Sequence, residues 1–225
     1  STTTTSIALT TTSTTTTTAP PTKPKGLCVG GLGSPALLQT FGSGNAQFNT
    51  ATPASFNFTT TYNQSNSAPT SDGHFSFINN LTGEYGTWHQ AVDHTPDVTN
   101  GYMFLVNADQ NPDEIYRSSI NSLSIGTVYQ FSAYAMNLLA SPNEGVLPNI
   151  TFEIRSPTND LLASVSTGGI PETINSTWNQ YGTSFIASTT SVILLMISNA
   201  LGGNGNDFAV DDISLVPCIV QTCGF

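Results

Sequence analysis

The sequence predicts an all-β protein: two β-sheets packed as a sandwich, preceded by an extended Thr-rich strand. Three observations carry that expectation. After Gly26 the chain breaks into short runs rich in Val, Ile, Phe, Tyr and Thr, separated by Gly, Pro, Asn and Asp. Two runs alternate strictly, N-I-T-F-E-I-R at 149–155 and Y-Q-F-S-A-Y at 129–134, as strands with one buried face do. No segment repeats, which argues against a propeller or solenoid and leaves the sandwich.

Taken in order, strands are expected at 36–41, 55–62, 74–79, 102–107, 115–120, 128–137, 150–155, 161–167, 177–186, 192–198 and 207–216, with no helix. The longest apolar run, V-I-L-L-M-I at 192–197, has strand length and falls far short of the ~20 residues of a membrane span. Ahead of these runs, residues 1–18 hold twelve Thr and three Ser around Ile7, Ala8 and Leu9, and a Pro-rich spacer follows at 20–27. Such composition reads as an O-glycosylated stalk, with Thr2 to Thr18 as candidate acceptors. Thr is also β-branched, and Ile7 and Leu9, two apart, fall on one side of an extended strand. A strand with two apolar knobs behind a Pro hinge is suited to adding to the sheet edge of a neighbouring copy, and head-to-tail addition of that kind makes a filament. The expected organisation is therefore strand or stalk 1–19, spacer 20–27, domain 28–218 and tail 219–225.

Charge narrows the function. Four Lys and Arg against fourteen Asp and Glu give a net charge of −10. So few cations argue against nucleic-acid binding and against attraction to anionic lipid, while the acidic balance favours divalent cations. The chain begins at Ser1 without Met, as expected of a secreted protein whose targeting segment has been removed. Sequons at Asn57, Asn63, Asn80, Asn149 and Asn175 permit surface glycans. No G-x-S-x-G elbow, phosphate loop or H-E-x-x-H occurs, and nothing nominates a carboxylate pair among Glu84, Glu114, Glu144, Glu153, Glu172 and the aspartates, so no enzyme activity is expected.

Three separated motifs carry a family likeness. W-H-Q-A-V-D-H-T at 88–95 with N-G-Y-M at 100–103, and G-N-D-F-A-V-D-D-I-S-L at 205–215, resemble the signatures of MAM-like jelly rolls. The opening C-V-G-G-L-G-S-P at 28–35 with Q-T-F-G-S-G at 39–44 is similar to jelly-roll modules of secreted Bacteroidetes surface adhesins and gliding-associated proteins. The resemblance covers about 28–218 and implies a jelly-roll sandwich. Related jelly rolls include carbohydrate-binding modules.

The resemblance also implies a structural Ca²⁺ between the last strand and the loop after the first, with Asp207, Asp211 and Asp212 as candidates. Simple alternation puts Asp211 on the side of Ala209, Ile213 and Leu215, where a carboxylate needs a partner; backbone oxygens at 42–45 are expected to supply it. His89, His94 and His74 are too few and too scattered for zinc. Asp93 and His94 are instead expected to pin their turn through side-chain-to-backbone hydrogen bonds. Trp88 and Trp178, with Tyr85 and Tyr181, either belong to the core or form a sugar-stacking platform. Cys28 pairs with Cys218 or Cys223, or stays free beside a short Cys218-to-Cys223 loop, and the resemblance favours Cys28 with Cys218.

These readings point to a structural subunit of an extracellular filament or adhesive layer, polymerising with itself through Ile7 and Leu9. The alternative is a polysaccharide-binding module on a mucin-like stalk.

Overall fold

The computed structural model describes residues 26–69, 71–82 and 85–219. Ile7, Leu9, the 2–18 tract, the Pro-rich spacer up to residue 25, Glu84 and Cys223 lie outside the described residues.

The described residues form fifteen strands and no α-helix: β1 (Gly31–Leu32), β2 (Leu37–Gln39), β3 (Phe48–Asn49), β4 (Asn63–Gln64), β5 (His74–Ile78), β6 (Asn80–Thr82), β7 (Gln90–Val92), β8 (Met103–Asn107), β9 (Asp113–Ile120), β10 (Val128–Asn137), β11 (Ile150–Arg155), β12 (Leu161–Ser166), β13 (Asn179–Ile186), β14 (Val192–Ser198) and β15 (Phe208–Ile219). The larger sheet runs β13-β10-β15-β8-β5-β3, with β1 and β2 added to β15 and β4 added in parallel to β5. The smaller runs β12-β11-β14-β9, and β6 and β7 form a separate hairpin. The β-sandwich expected from the alternation is the observed architecture.

Between the sheets, Phe41, Phe75, Phe77 and Phe104 stack and cross at centroid distances of 5.0–5.7 Å around Phe58 and Tyr116. Fully buried rings of this size dominate core energetics, and their edge-to-face contacts add direction to the burial. A second apolar layer lies on the far face of the larger sheet. In β8 the consecutive residues Met103, Phe104, Leu105 and Val106 are all buried, with Phe104 and Val106 in the main core and Met103 and Leu105 in the second layer. The β6–β7 hairpin supplies Leu81 and Ala91 to that layer. A strand covered on both faces reads as a continuous apolar run, which accounts for M-F-L-V.

One expected strand is replaced. Residues 55–62 do not extend: Pro53–Phe56 is a 3-10 turn, closed by Asn57 in the left-handed region at φ 57°, and only Thr59 bridges onward, to Arg117. Pro53 at the first position presets the turn, and Asn tolerates the left-handed cap that ends it. Cys28 and Cys218 are joined by a disulfide across a separation of 190 residues. No helix among the described residues is long and apolar enough to cross a membrane.

Candidate functional site

One end of the larger sheet carries a cavity of ≈ 360 Å³. Its aromatic wall is the loop between β6 and β7. Tyr85 and Trp88 meet at 4.2 Å between ring centroids, and the Trp88 N–H donates to the Tyr85 carbonyl. Trp88 bridges to Leu139 and the Ala140 N–H donates to the Thr87 carbonyl, so the wall is tied to the strand end that carries the second apolar layer. Tyr85 Oη donates to the Pro69 carbonyl.

The floor is acidic. Asp207, 9% exposed, precedes β15, and its Oδ1 accepts the Ala108 N–H at 3.0 Å. Burial, with the nearby charge of Asp72 adding to it, pushes its carboxyl up to about 7. The remaining wall comes from β8 and the loops beyond it. Asn107 Nδ2 donates to the Pro69 carbonyl, Asn206 Nδ2 to the Asp109 carbonyl, and Gln110 Nε2 to Asp72 Oδ2. Gly202 lets the last loop close on this wall, since a Cβ there would stand 2.5 Å from the Gln110 Cα.

A second polar cluster sits on the outer face of the sheet. Asp211 Oδ2 accepts the His94 N–H at 2.7 Å and Asp211 Oδ1 accepts the Asp212 N–H at 2.8 Å. Thr95 Oγ1 donates to Asp212 Oδ1 at 2.9 Å, and the His94 ring stacks on Tyr134 at 3.5 Å. Burial, then the charges of Asp212 and Asp93, push the Asp211 carboxyl up to about 8. Asp93 is raised by burial and by Asp212, and its buried Oδ2 has no hydrogen-bond partner among the described residues.

The expected side of Asp211 is corrected by a β-bulge. Tyr134 pairs with Asp211 but Ser132 with Ser214, so Asp212 and Ile213 together oppose Ala133, and Asp212 takes φ 47°. One extra residue reverses the alternation. Ala209 lies in the outer layer, Ile213 and Leu215 in the main core, and Asp211, opposite Tyr134, faces outward. The three aspartates expected around one Ca²⁺ divide between two places: Asp207 lines the cavity, whereas Asp211 and Asp212 hold the 93–95 turn. Gly42, expected among the oxygen donors, has its carbonyl taken by the Tyr102 N–H. Among the described residues no group of three His, Cys, Asp or Glu stands in metal-holding geometry. The histidines are likewise apart, His89 beside Thr173, His74 beside the Asp72 carbonyl and His94 on Asp212.

Trp88 and Trp178 do not share a platform. Trp88 lines the cavity at 9% exposure, whereas Trp178 donates its indole N–H to the Val92 carbonyl beside His94. Of the sequon residues, Asn57, Asn63, Asn80 and Asn175 are exposed, and Asn149 is half-buried with Oδ1 accepting the Ser166 hydroxyl. Sequence reasoning passed over Asp72, Asn107, Gln110, Asn204 and Asn206. Their one signal is the cluster of Asn, Asp and Gln bounding apolar runs, which reads equally as turn chemistry.

No protein-family model matches the chain, and no curated protein does. The motif likeness to MAM-like modules therefore remains a resemblance. Solved structures with a similar course include the CBM22-1 xylan-binding domain of Paenibacillus barcinonensis Xyn10C, at 10% identity and TM-score 0.44, covering 87% of this chain and 99% of that one. A cyclase from Fischerella sp. is similar at 12% identity and TM-score 0.45, covering 65% and 73%. TmCBM61, solved with β-1,4-galactotriose, is similar at 15% identity and TM-score 0.34, covering 53% and 72%.

Proposed function

We propose that this chain is a secreted saccharide-binding module whose ligand seats in the Trp88 cavity, without turnover. The observation that carries the reading is the cavity itself, in which an aromatic wall at Tyr85 and Trp88 faces two carboxylates and several side-chain amides. Rings cover the apolar C–H face of a pyranose, and convergent polar groups fix its hydroxyls; few ligand classes need both in one small pocket. At ≈ 360 Å³ it has room for one or two sugar units. The disulfide suits an oxidising exterior. A glycan array followed by calorimetry tests this: Tyr85→Ala is expected to weaken the best ligand at least roughly tenfold, with no new reducing ends appearing in the bound polysaccharide. A flat array sinks the reading, and released reducing ends turn it into a hydrolase.

A second reading, self-assembly through the 1–19 tract, is favoured by a partly buried apolar seam at the edges of the two sheets. A Cβ on Gly26 would stand 3.0 Å from the Gly182 carbonyl oxygen, which sets Gly26 beside β13, the outermost strand of its sheet among the described residues. Across the gap, β12 is outermost in the other sheet, and Leu162, Ala163, Val165 and Tyr181 pack only partly buried against the core between them. Ile7 and Leu9 have the spacing to cover such a seam. Sedimentation of the full chain against one lacking 1–19 decides: equal profiles end this reading.

A further inference from the structure

We infer that the cavity selects a protonated amine on its sugar, so that its ligand is a hexosamine with a free 2-ammonium group. The inference rests on the saccharide-binding reading and deepens it. It follows from the charge of the lining and from the acceptor oxygens it leaves open.

Carbonyl and carboxylate oxygens only accept, so the groups meeting Pro69 O, Asp109 O and Asp72 Oδ2 must be the NH₂ ends of Asn107, Asn206 and Gln110. Each of these amides spends one of its two N–H donors on the wall and keeps the other. The matching amide oxygens, Asn107 Oδ1, Asn206 Oδ1 and Gln110 Oε1, have no partner among the described residues, and neither does the second oxygen of Asp207. Tyr85 likewise spends its hydroxyl proton on the Pro69 carbonyl. The lining therefore presents four open acceptor oxygens, one of them on a carboxylate, beside its remaining amide donors.

Its charge points the same way. Asp72 and Asp207 are both in the lining, and no Lys or Arg is among the described residues that form it. The two described arginines are committed elsewhere, Arg117 to Glu114 and Arg155 to Glu153. A ligand suited to this lining brings positive charge, with donors for the open acceptors. An alkylammonium brings three donors and a positive charge to these oxygens, whereas a hydroxyl or an acetamido group brings no charge to the two carboxylates. A uronic carboxylate would meet like charge. Binding an ammonium also favours the ionised form of Asp207, which burial otherwise opposes. The Asn204 amide and the Thr87 hydroxyl are left for the sugar's hydroxyls, and Trp88 for its apolar face.

The test is calorimetry on the intact chain near neutral pH with three β-1,4-linked trimers: glucosamine, N-acetylglucosamine and glucose. The glucosamine trimer is expected to bind roughly tenfold tighter than the other two, an advantage that shrinks at high salt and disappears in both Asp207→Asn and Asp72→Asn. Asp72 is exposed, so its variant reports on binding even where Asp207→Asn loses stability. Equal affinity for the three trimers, or preference for the acetylated one, overturns amine selection and leaves saccharide binding standing. No binding by any trimer, together with a flat glycan array, ends both. Tight binding of Ca²⁺ alone with displacement of the sugar assigns the acceptors to a metal ion and overturns the inference.

Discussion

His94 Nδ1 lies 2.7 Å from Asp212 Oδ2, a contact between residues 118 positions apart in the chain. It pins the turn after β7 to the bulge of β15, and the neighbouring N–H of His94 is held by Asp211. The ring also covers Tyr134. Replacing His94 by Ala removes the side-chain bond and the stacking together, and is expected to cost about 2 kcal/mol. Urea unfolding measures it; an unchanged midpoint would mean that the turn is held by its backbone alone.

Asp207 gives stability a pH slope of known sign. Its carboxyl, ordinarily at 3.8, stands at about 7 in the fold, so between those values the folded chain carries the extra proton. Stability therefore falls as pH rises from about 4 to about 7 and is flat in this contribution above that. Asp211 acts in the same direction up to about 8. In Asp207→Asn the Oδ1 acceptor for Ala108 survives and the titration does not. Urea midpoints taken at about pH 5 and about pH 8 are expected to differ less in the variant than in the parent.

The Cys28–Cys218 bond closes a loop of 190 residues, for which the chain-entropy picture gives about 5 kcal/mol. Reduction is expected to lower the unfolding free energy by several kcal/mol. With three cysteines in the sequence, denatured protein without reductant should react with one equivalent of a thiol reagent, at Cys223. Three equivalents would contradict the pairing.

Gly182 stands where β13 crosses closest to β10. A Cβ there would sit 2.2 Å from the Phe131 carbonyl oxygen and 2.6 Å from the Ser132 Cα, both backbone atoms that cannot turn aside. Gly182→Ala is expected to cost about 3 kcal/mol. The thermal midpoint reads this directly, and a shift of under a degree would show that the two strands separate freely.

Much of the sheet architecture was legible because its long strands carry six or more residues that either alternate or run continuously apolar. Val128–Asn137, Ile150–Arg155 and Val192–Ser198 follow the predicted bounds. The two- and three-residue strands were not, because pairs such as Gly31–Leu32 and Phe48–Asn49 are extended only where a long neighbour offers its edge. Pattern also failed at Asp211, since one bulged residue inverts every facing before it and leaves no local mark in D-D-I. At the cavity, Trp88 and Asp207 were each visible as unusual residues, but their meeting depends on β8 lying between β5 and β15.

The staple has a mechanical consequence. β1 runs antiparallel to the end of β15, with Gly31 opposite Ile219 and Leu32 opposite Cys218, and the disulfide closes this pair of terminal strands. Tension applied through the 1–25 tract at one end and the 220–225 tail at the other passes through a covalent bond before it reaches the sheets. The 189 residues between the cysteines are shielded from the load, so the module behaves as an inextensible link whose Trp88 cavity keeps its shape while the chain is pulled.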